Sequence, residues 1–254
     1  MQKLHHWPYR IKANVLGLLT GKQIQDDFDW RVYTHDYRGE LIGVEKESTI
    51  KPKTGDYEFR GGKLIKIRDV KPMHANHHIL CEAIGEIGPS LVLEIGCGGG
   101  DHLHNLSVLL RGIRLQGSGL SEKRLELARQ RHPQLKAELG QFDATSTESP
   151  AVLEQVDLVY TQAVIMHIQR PEAYMQALRN VFRLAKRQVA LMENWSRHDF
   201  MADIKNLITK GEVPWKEVRF YCKRSEMLRT PRLMIVSAER LEGLPELTDY
   251  SVLK

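Results

Sequence analysis

"LEIGCGGGDHLH", residues 93–104, is the stretch on which the reading of this chain turns. Four glycines fall within five positions, followed at once by an aspartate and two histidines. Such a run suits a backbone cradle for a ligand, the rim of a metal site, or a tight turn. Its flanks narrow the choice. "SLVLEIG" before it reads as a fully buried strand, and "DHLHNLSVLL" after it as a helix. A glycine-rich turn between strand and helix lets the backbone approach a ligand closely. It also aims the helix's first N–H groups at an anionic or electron-rich group.

Working outward, the chain from about residue 72 alternates strand-like and helix-like segments. That alternation predicts an α/β fold with a largely parallel sheet and helices on both faces. Ile79, Leu80, Ala83, Ile84 and Ile87 recur at helical spacing, and the Gly-Pro at 88–89 ends that helix. "IRLQGSG" reads as the second strand, "LKAELGQFD" as the third and "VDLVYTQ" as the fourth. Ser121 is placed to cap the helix "SEKRLELARQRH", with Glu122 in its first turn, where the helix dipole favours an acid. Pro171 opens a helix carrying Tyr174, Ala177, Leu178, Val181 and Phe182 along one face. "RQVALMEN" is a fifth strand, "HDFMADIKNLITKG" a further helix, and "VRFYC" and "RLMIVSAE" supply two final strands.

Residues 1–71 read differently, as a small β-containing cap on a domain spanning 72–254. Aromatic and β-branched residues dominate "DWRVYTHDY", and "YEFRGGKLIKI" predicts a hairpin turning at Gly61-Gly62. "ANVLGLL", at 13–19, lacks a small-residue cleavage pattern and reads as a short packed helix rather than a signal peptide.

The chain has 254 residues, is 42% hydrophobic and 27% charged, and so can bury a full core. No apolar run approaches the roughly 18 residues that cross a bilayer. Cys81, Cys97 and Cys222 are far apart and odd in number, so no disulfide framework is implied and a cytoplasmic location is expected. The net charge of +5 is compatible with an anionic small substrate, a nucleic acid or an anionic surface, and selects none of them. The basic cluster "RFYCKRSEMLRTPR", 219–232, reads as a solvated face.

Two enzyme classes use a strand–glycine–helix unit of this kind: dinucleotide enzymes and S-adenosylmethionine enzymes. The dinucleotide pattern begun at Gly96 and Gly98 needs its third glycine at position 101, which Asp101 occupies. "VLEIGCGGG" instead resembles the first motif of class I S-adenosylmethionine-dependent methyltransferases, through Glu94, Gly96, Gly98 and Gly100. "GSGLSEKRLELAR", "QFDA" and "VDLVYTQAVIMHI" resemble that family's later segments, in the same order, over residues 73 to 240.

The resemblance implies a doubly wound seven-stranded sheet and S-adenosyl-L-methionine as cofactor. It places Glu94 toward the cofactor's methionine end, and Gly96, Cys97, Gly98 and Gly100 around it. Ser118, Gly119 and Leu120 would lie at the ribose, Asp143 at the adenine amine, and Thr161 and Gln162 on the loop that passes the reactive methyl. One departure stands out. Where the family presents an acid to the ribose, this chain has Gly119, and Ser118 or Ser121 is left to replace part of that contact.

The implied activity is in-line methyl transfer, with O-methylation of a small-molecule or saccharide-type acceptor the favoured reading. RNA methylation and a non-catalytic S-adenosylmethionine-binding partner subunit stay open, and an NADP-dependent oxidoreductase is a remote rival. The loop after the fourth strand, "YTQAVIMH", lacks the prolines usual in enzymes that methylate exocyclic base amines.

His167, just beyond that strand, is the first candidate for a general base. Glu193 is the second, as base or as the group that orients the histidine, and Asn194 beside it is a further polar group at the same sheet edge. His102 and His104 sit two apart and cannot face one another on a helix. Any contact they make with a cofactor is expected through backbone. No metal site is expected, and the remaining histidines read as surface or capping residues.

Overall fold

The structure, a computed structural model, describes residues 52–148, 153–225 and 232–254. The helix expected over "ANVLGLL" and the strand-like "DWRVYTHDY" lie outside the described residues.

The hairpin forms where expected. Strands β1 (Tyr57–Arg60) and β2 (Lys63–Lys66) pair antiparallel, with Arg60 opposite Lys63. Gly61 and Gly62 hold φ values of 55° and 78°, and a two-residue turn of this hand needs positive φ at both positions. The hairpin rests on helix α1 (Ala75–Ile87). The Leu64 N–H donates to Glu82 Oε1 at 3.0 Å, and His78 Nε2 meets the Leu64 carbonyl at 2.8 Å. The ring of Phe59 fills the space beside Gly85 that a Cβ would take. Gly88 then ends α1 in the left-handed conformation, φ 66°.

Seven strands form one sheet in the order β5-β4-β3-β6-β7-β9-β8. They are β3 (Leu91–Ile95), β4 (Arg114–Gly119), β5 (Ala137–Gln141), β6 (Val156–Gln162), β7 (Ala185–Met192), β8 (Arg219–Arg224) and β9 (Arg232–Ser237). β3 through β7 run parallel, while β9 is antiparallel to both β7 and β8. Helices α2 (Asp101–Leu109), α3 (Glu122–Arg131), α4 (Pro171–Leu184) and α5 (Phe200–Thr209) complete the α/β layers.

β3 is central and buried at all five positions. Its alternation sends Leu91, Leu93 and Ile95 into the core shared with Leu178 of α4 and Ile204 of α5. Val92 faces the opposite core, with Leu80 of α1 and Leu106 of α2. Glu94 has the same parity as Val92, so its carboxyl group enters the α1–α2 layer. Truncating a side chain such as Leu93, wholly buried, would cost about 2–5 kcal/mol.

The parallel order reverses between β3 and β6: β4 and β5 extend one way, β6 and β7 the other. In open α/β sheets, ligands bind outside the carboxyl ends of the strands at such a point. The glycine run lies there.

Two expectations are corrected. Ser121 occupies the N-cap of α3, but its side chain makes no capping hydrogen bond; only its carbonyl accepts, from the Arg124 and Leu125 N–H groups. Nor is the 219–232 cluster uniformly a solvated face. The Lys223 side chain is 13% exposed and pairs with Glu82 at 3.3 Å and Glu86 at 2.7 Å, tying β8 to α1. The Nε of Arg232 is buried.

Candidate active site

Burial of an acid is costly unless its oxygens are hydrogen-bonded, and Glu94 meets that condition. It is 2% exposed. The Tyr160 hydroxyl, on β6, donates to its Oε2 at 2.9 Å, and His102 Nδ1, in the first turn of α2, lies 2.7 Å from its Oε1. The chain of contacts continues. His102 Nε2 is 2.8 Å from Nε2 of His77 on α1, and His77 Nδ1 is 2.9 Å from the Asn105 amide nitrogen. Five polar side chains from four elements thus join behind the glycine run. His102 therefore reaches the motif acid with its side chain. Its neighbour His104 stacks on His132, ring centroids 4.5 Å apart. His77 and His132 are buried, not surface residues.

Protons in this chain follow from charge. Burial pushes the His102 imidazole down and the Glu94 carboxylate pushes it up, and the carboxylate prevails. Burial, with His102 adding, drives His77 down to about 2, so it is neutral. When His102 is protonated it donates from both nitrogens, and the proton of His77 then sits on Nδ1. Asn105 must then offer its oxygen. That oxygen is buried without a partner as placed, and turning the amide over satisfies it.

The glycines divide by role. A Cβ on Gly96 would lie 2.4 Å from Val164 Cγ2, so this glycine makes room for the loop after β6. Gly98, with φ 53°, differs: among the described residues a Cβ there would meet nothing nearer than Arg124 at 4.0 Å, so they leave space at the sheet edge. The N-cap of α2 is Gly100, which has no side chain to cap the helix. Asp101 turns instead to α3, pairing with Arg131 at 3.2 Å and His132 at 3.0 Å. A helix N-terminus without a side-chain cap favours an anionic acceptor such as a carboxylate.

The other candidates collect along the same edge. Gly119 closes β4 without a positive φ, and a Cβ there would make ordinary contact with Leu125 at 3.5 Å. Leu120 follows it, its carbonyl accepting from Gln141 Nε2 at 2.9 Å. Ser118 is wholly buried with its hydroxyl on the Glu94 carbonyl at 3.4 Å, so it does not substitute for the acid missing at Gly119. The Cys97 side chain packs inward beside Gly117, and burial pushes its thiol well above the ordinary range. Asp143 stands exposed after β5, with Oδ1 accepting from the N–H and hydroxyl of Thr145 at 2.8 and 2.7 Å.

The loop after β6 is held by Glu193, at the end of β7. Its carboxylate accepts from the Thr161 hydroxyl at 2.7 Å, the Val164 N–H at 3.1 Å and the Met166 N–H at 3.0 Å. Burial raises the Glu193 carboxyl, while these hydrogen bonds oppose the rise. Ala163 in this loop has φ 51°, the sole non-glycine residue with positive φ among those described. Strain of this kind costs about 1–3 kcal/mol and persists where surrounding structure imposes it. His167 ends the 3-10 turn Ile165–His167, half-buried. Burial, with the Arg197 charge adding, holds its imidazole below the usual histidine range.

Between the ends of β6 and β7 lies a cavity of about 190 Å³, bounded by Gln162, Ala163, Met166, Met192, Glu193 and Asn194, with Asn76 of α1 and Arg232 of β9. Sequence reasoning missed Asn76 and Arg232, because both reach the cavity from distant segments. His167 is absent from its walls. Among the described residues, no three or more His, Cys, Asp or Glu side chains group as metal ligands, and no helix is long and apolar enough to cross a membrane.

A family model described as "Methyltransferase domain" matches residues 92–188. No curated protein matches the chain. Among solved structures, a TehB-like S-adenosylmethionine-dependent methyltransferase from Corynebacterium glutamicum is similar at 12% identity and a TM-score of 0.51. That match covers 85% of this chain and 100% of the other. The magnesium protoporphyrin IX methyltransferase of Synechocystis, with bound S-adenosylmethionine, shares 18% identity over 67% of this chain and 86% of its own, with a TM-score of 0.46. The plantazolicin methyltransferase BpumL, in complex with S-adenosylhomocysteine, shares 14% over 64% and 83%, with a TM-score of 0.49. Of these three, the first exceeds a TM-score of 0.5, and at its identity it speaks to the fold.

Proposed function

We propose, for a chain whose residues 92–188 match a model described as a methyltransferase domain, that it uses S-adenosylmethionine to methylate a hydroxyl group of a small-molecule or saccharide-type acceptor. The observation that carries the reading is the space the described residues leave at Gly98, beside an α2 N-terminus whose N-cap, Gly100, has no side chain, at the point where the sheet order reverses.

The residues fit that cofactor. The α2 N-terminus suits its carboxylate, Gly98 leaves room for its body, and Gly119–Leu120 and Asp143 stand farther along the same edge. Bound there, the cofactor would supply an electrophilic methyl on a sulfonium. Glu94, with its oxygens on Tyr160 and His102, supports the loop from behind. Glu193 positions the loop after β6 by accepting from its N–H groups. His167, half-buried on that loop with its imidazole below the usual histidine range, lies outside the cavity walls and would take the attacking hydroxyl's proton through one intervening water.

The cavity favours a small acceptor over a nucleobase. Proteins that hold an extruded or single-stranded base commonly stack it on aromatic rings, and among the described residues none lines this cavity. The cap role on the acceptor side is proposed for residues 1–71 apart from the hairpin, which packs beside Gly85 at the end of α1 away from the cavity residue Asn76. Incubation with methyl-labelled S-adenosylmethionine and separate metabolite, glycan and RNA pools tests the assignment. Label is expected in the metabolite or glycan pool, and label confined to RNA would contradict it.

A further inference from the structure

Two buried polar atoms belonging to walls of one cavity have no hydrogen-bond partner among the described residues: Oε1 of Gln162 and Nε of Arg232. An orphaned buried polar atom costs about 1–3 kcal/mol, so two at one cavity call for an explanation. A second observation concerns charge. Arg232 at the start of β9 stands directly opposite Arg224 on β8. Directly opposed residues of an antiparallel pair share a face, and like charges there repel. Both guanidinium groups also act on the Cys222 thiol, drawing it down against burial. The pair therefore sets up a positive field beside the cavity. The acidic wall residue, Glu193, has its oxygens committed to the loop after β6. Met166, Met192 and Ala163 make up apolar wall.

Complementarity follows from these parts. Arg232 Nε offers a donor and a positive charge, so it takes an oxyanion. Gln162 Oε1 offers an acceptor, so it takes an O–H or N–H. We infer that this cavity selects small acceptors that bear an oxyanion, bound at Arg232, together with a hydroxyl or amine group, bound at Gln162. The inference rests on the proposed methyltransferase reading and adds the substrate class. Gln162 closes β6, whose loop covers Gly96, so the O–H or N–H end is the one turned toward the cofactor edge. Arg232 is then a specificity residue for the transfer.

The test uses the full chain, first titrated with S-adenosylhomocysteine. Failure at that step is a failure of the cofactor reading alone. The loaded protein is then titrated with 3-hydroxybenzoate, with 3-hydroxybenzamide of nearly the same shape, and with 3-hydroxyphenyl phosphate. At least one of the two anions should bind about tenfold or more tighter than the amide. The tighter of the two identifies the oxyanion as carboxylate or phosphate. Arg232→Gln should erase the preference while S-adenosylhomocysteine still binds, and Arg232→Lys should keep part of it. Equal binding of anions and amide, no probe binding to the loaded protein, or a preference that survives Arg232→Gln would each overturn the inference.

Discussion

Nδ1 of His102 lies 2.7 Å from Oε1 of Glu94, joining the first turn of α2 to the end of β3 directly behind the glycine run. A charge that is 2% exposed tolerates burial because this contact and the Tyr160 hydroxyl satisfy it. His102→Ala leaves the carboxylate with Tyr160 alone. Removing one partner of a buried pair costs about 3–5 kcal/mol. Urea unfolding should show a loss of that size, and a loss under about 1 kcal/mol would mean the contact is incidental.

His77 gives the fold a pH dependence of definite sign. Its folded pKa is depressed to about 2, whereas an unfolded histidine titrates near 6.5. The unfolded chain therefore binds the extra proton, and the stability His77 contributes is present above about pH 6.5 and lost as pH falls toward 2. His102, with its pKa raised, acts in the opposite sense: its contribution is present below about 6.5 and lost as pH rises through its folded value. The urea midpoint of His77→Asn should fall less between pH 7 and pH 5 than that of the wild type. Parallel profiles would refute the assignment.

Gly98 and Gly112 both hold positive φ, 53° and 89°, so a leucine strains the backbone at either position. They differ in place, since Gly112 lies in the turn before β4, away from the carboxyl edge. Gly98→Leu should abolish binding of S-adenosylhomocysteine, while Gly112→Leu should lower stability and leave binding near the wild-type value. Equal binding losses in the two variants would show that strain, not occupied space, is responsible.

If His167 removes the acceptor proton, its depressed pKa makes turnover level from neutral pH upward and falling in acid, as the imidazole protonates. His167→Ala should reduce turnover by about 10²–10⁴ and leave cofactor affinity nearly intact. Turnover within a few-fold of wild type across pH 6–9 would make the histidine structural.

Local pattern carried most of the fold. Leu91–Ile95 as an apolar strand interrupted only by Glu94, Pro171 at the start of α4, and the paired glycines at 61–62 each have a local cause. The loop glycines were legible as a group, but their separate jobs were not. That Gly96 yields to Val164 while Gly98 faces open space depends on how the loop after β6 folds back over β3. The polar chain behind the loop escaped for the same reason, since His77 and Glu94 meet His102 from different elements. A signal existed: His102 and Asn105 are polar at a spacing of three on the buried side of α2, and His77 interrupts the apolar face of α1. Arg232 looked like one more surface cation because nothing local marks where β9 begins relative to β6 and β7.

Calorimetric titration of the full chain with S-adenosylmethionine, S-adenosylhomocysteine and NADP bears most directly on the central claim, that the edge around Gly98 is a S-adenosylmethionine site. The account predicts binding of the first two and no heat from NADP, since Asp101 stands where a dinucleotide site needs glycine. Tight NADP binding without any response to S-adenosylmethionine would contradict it.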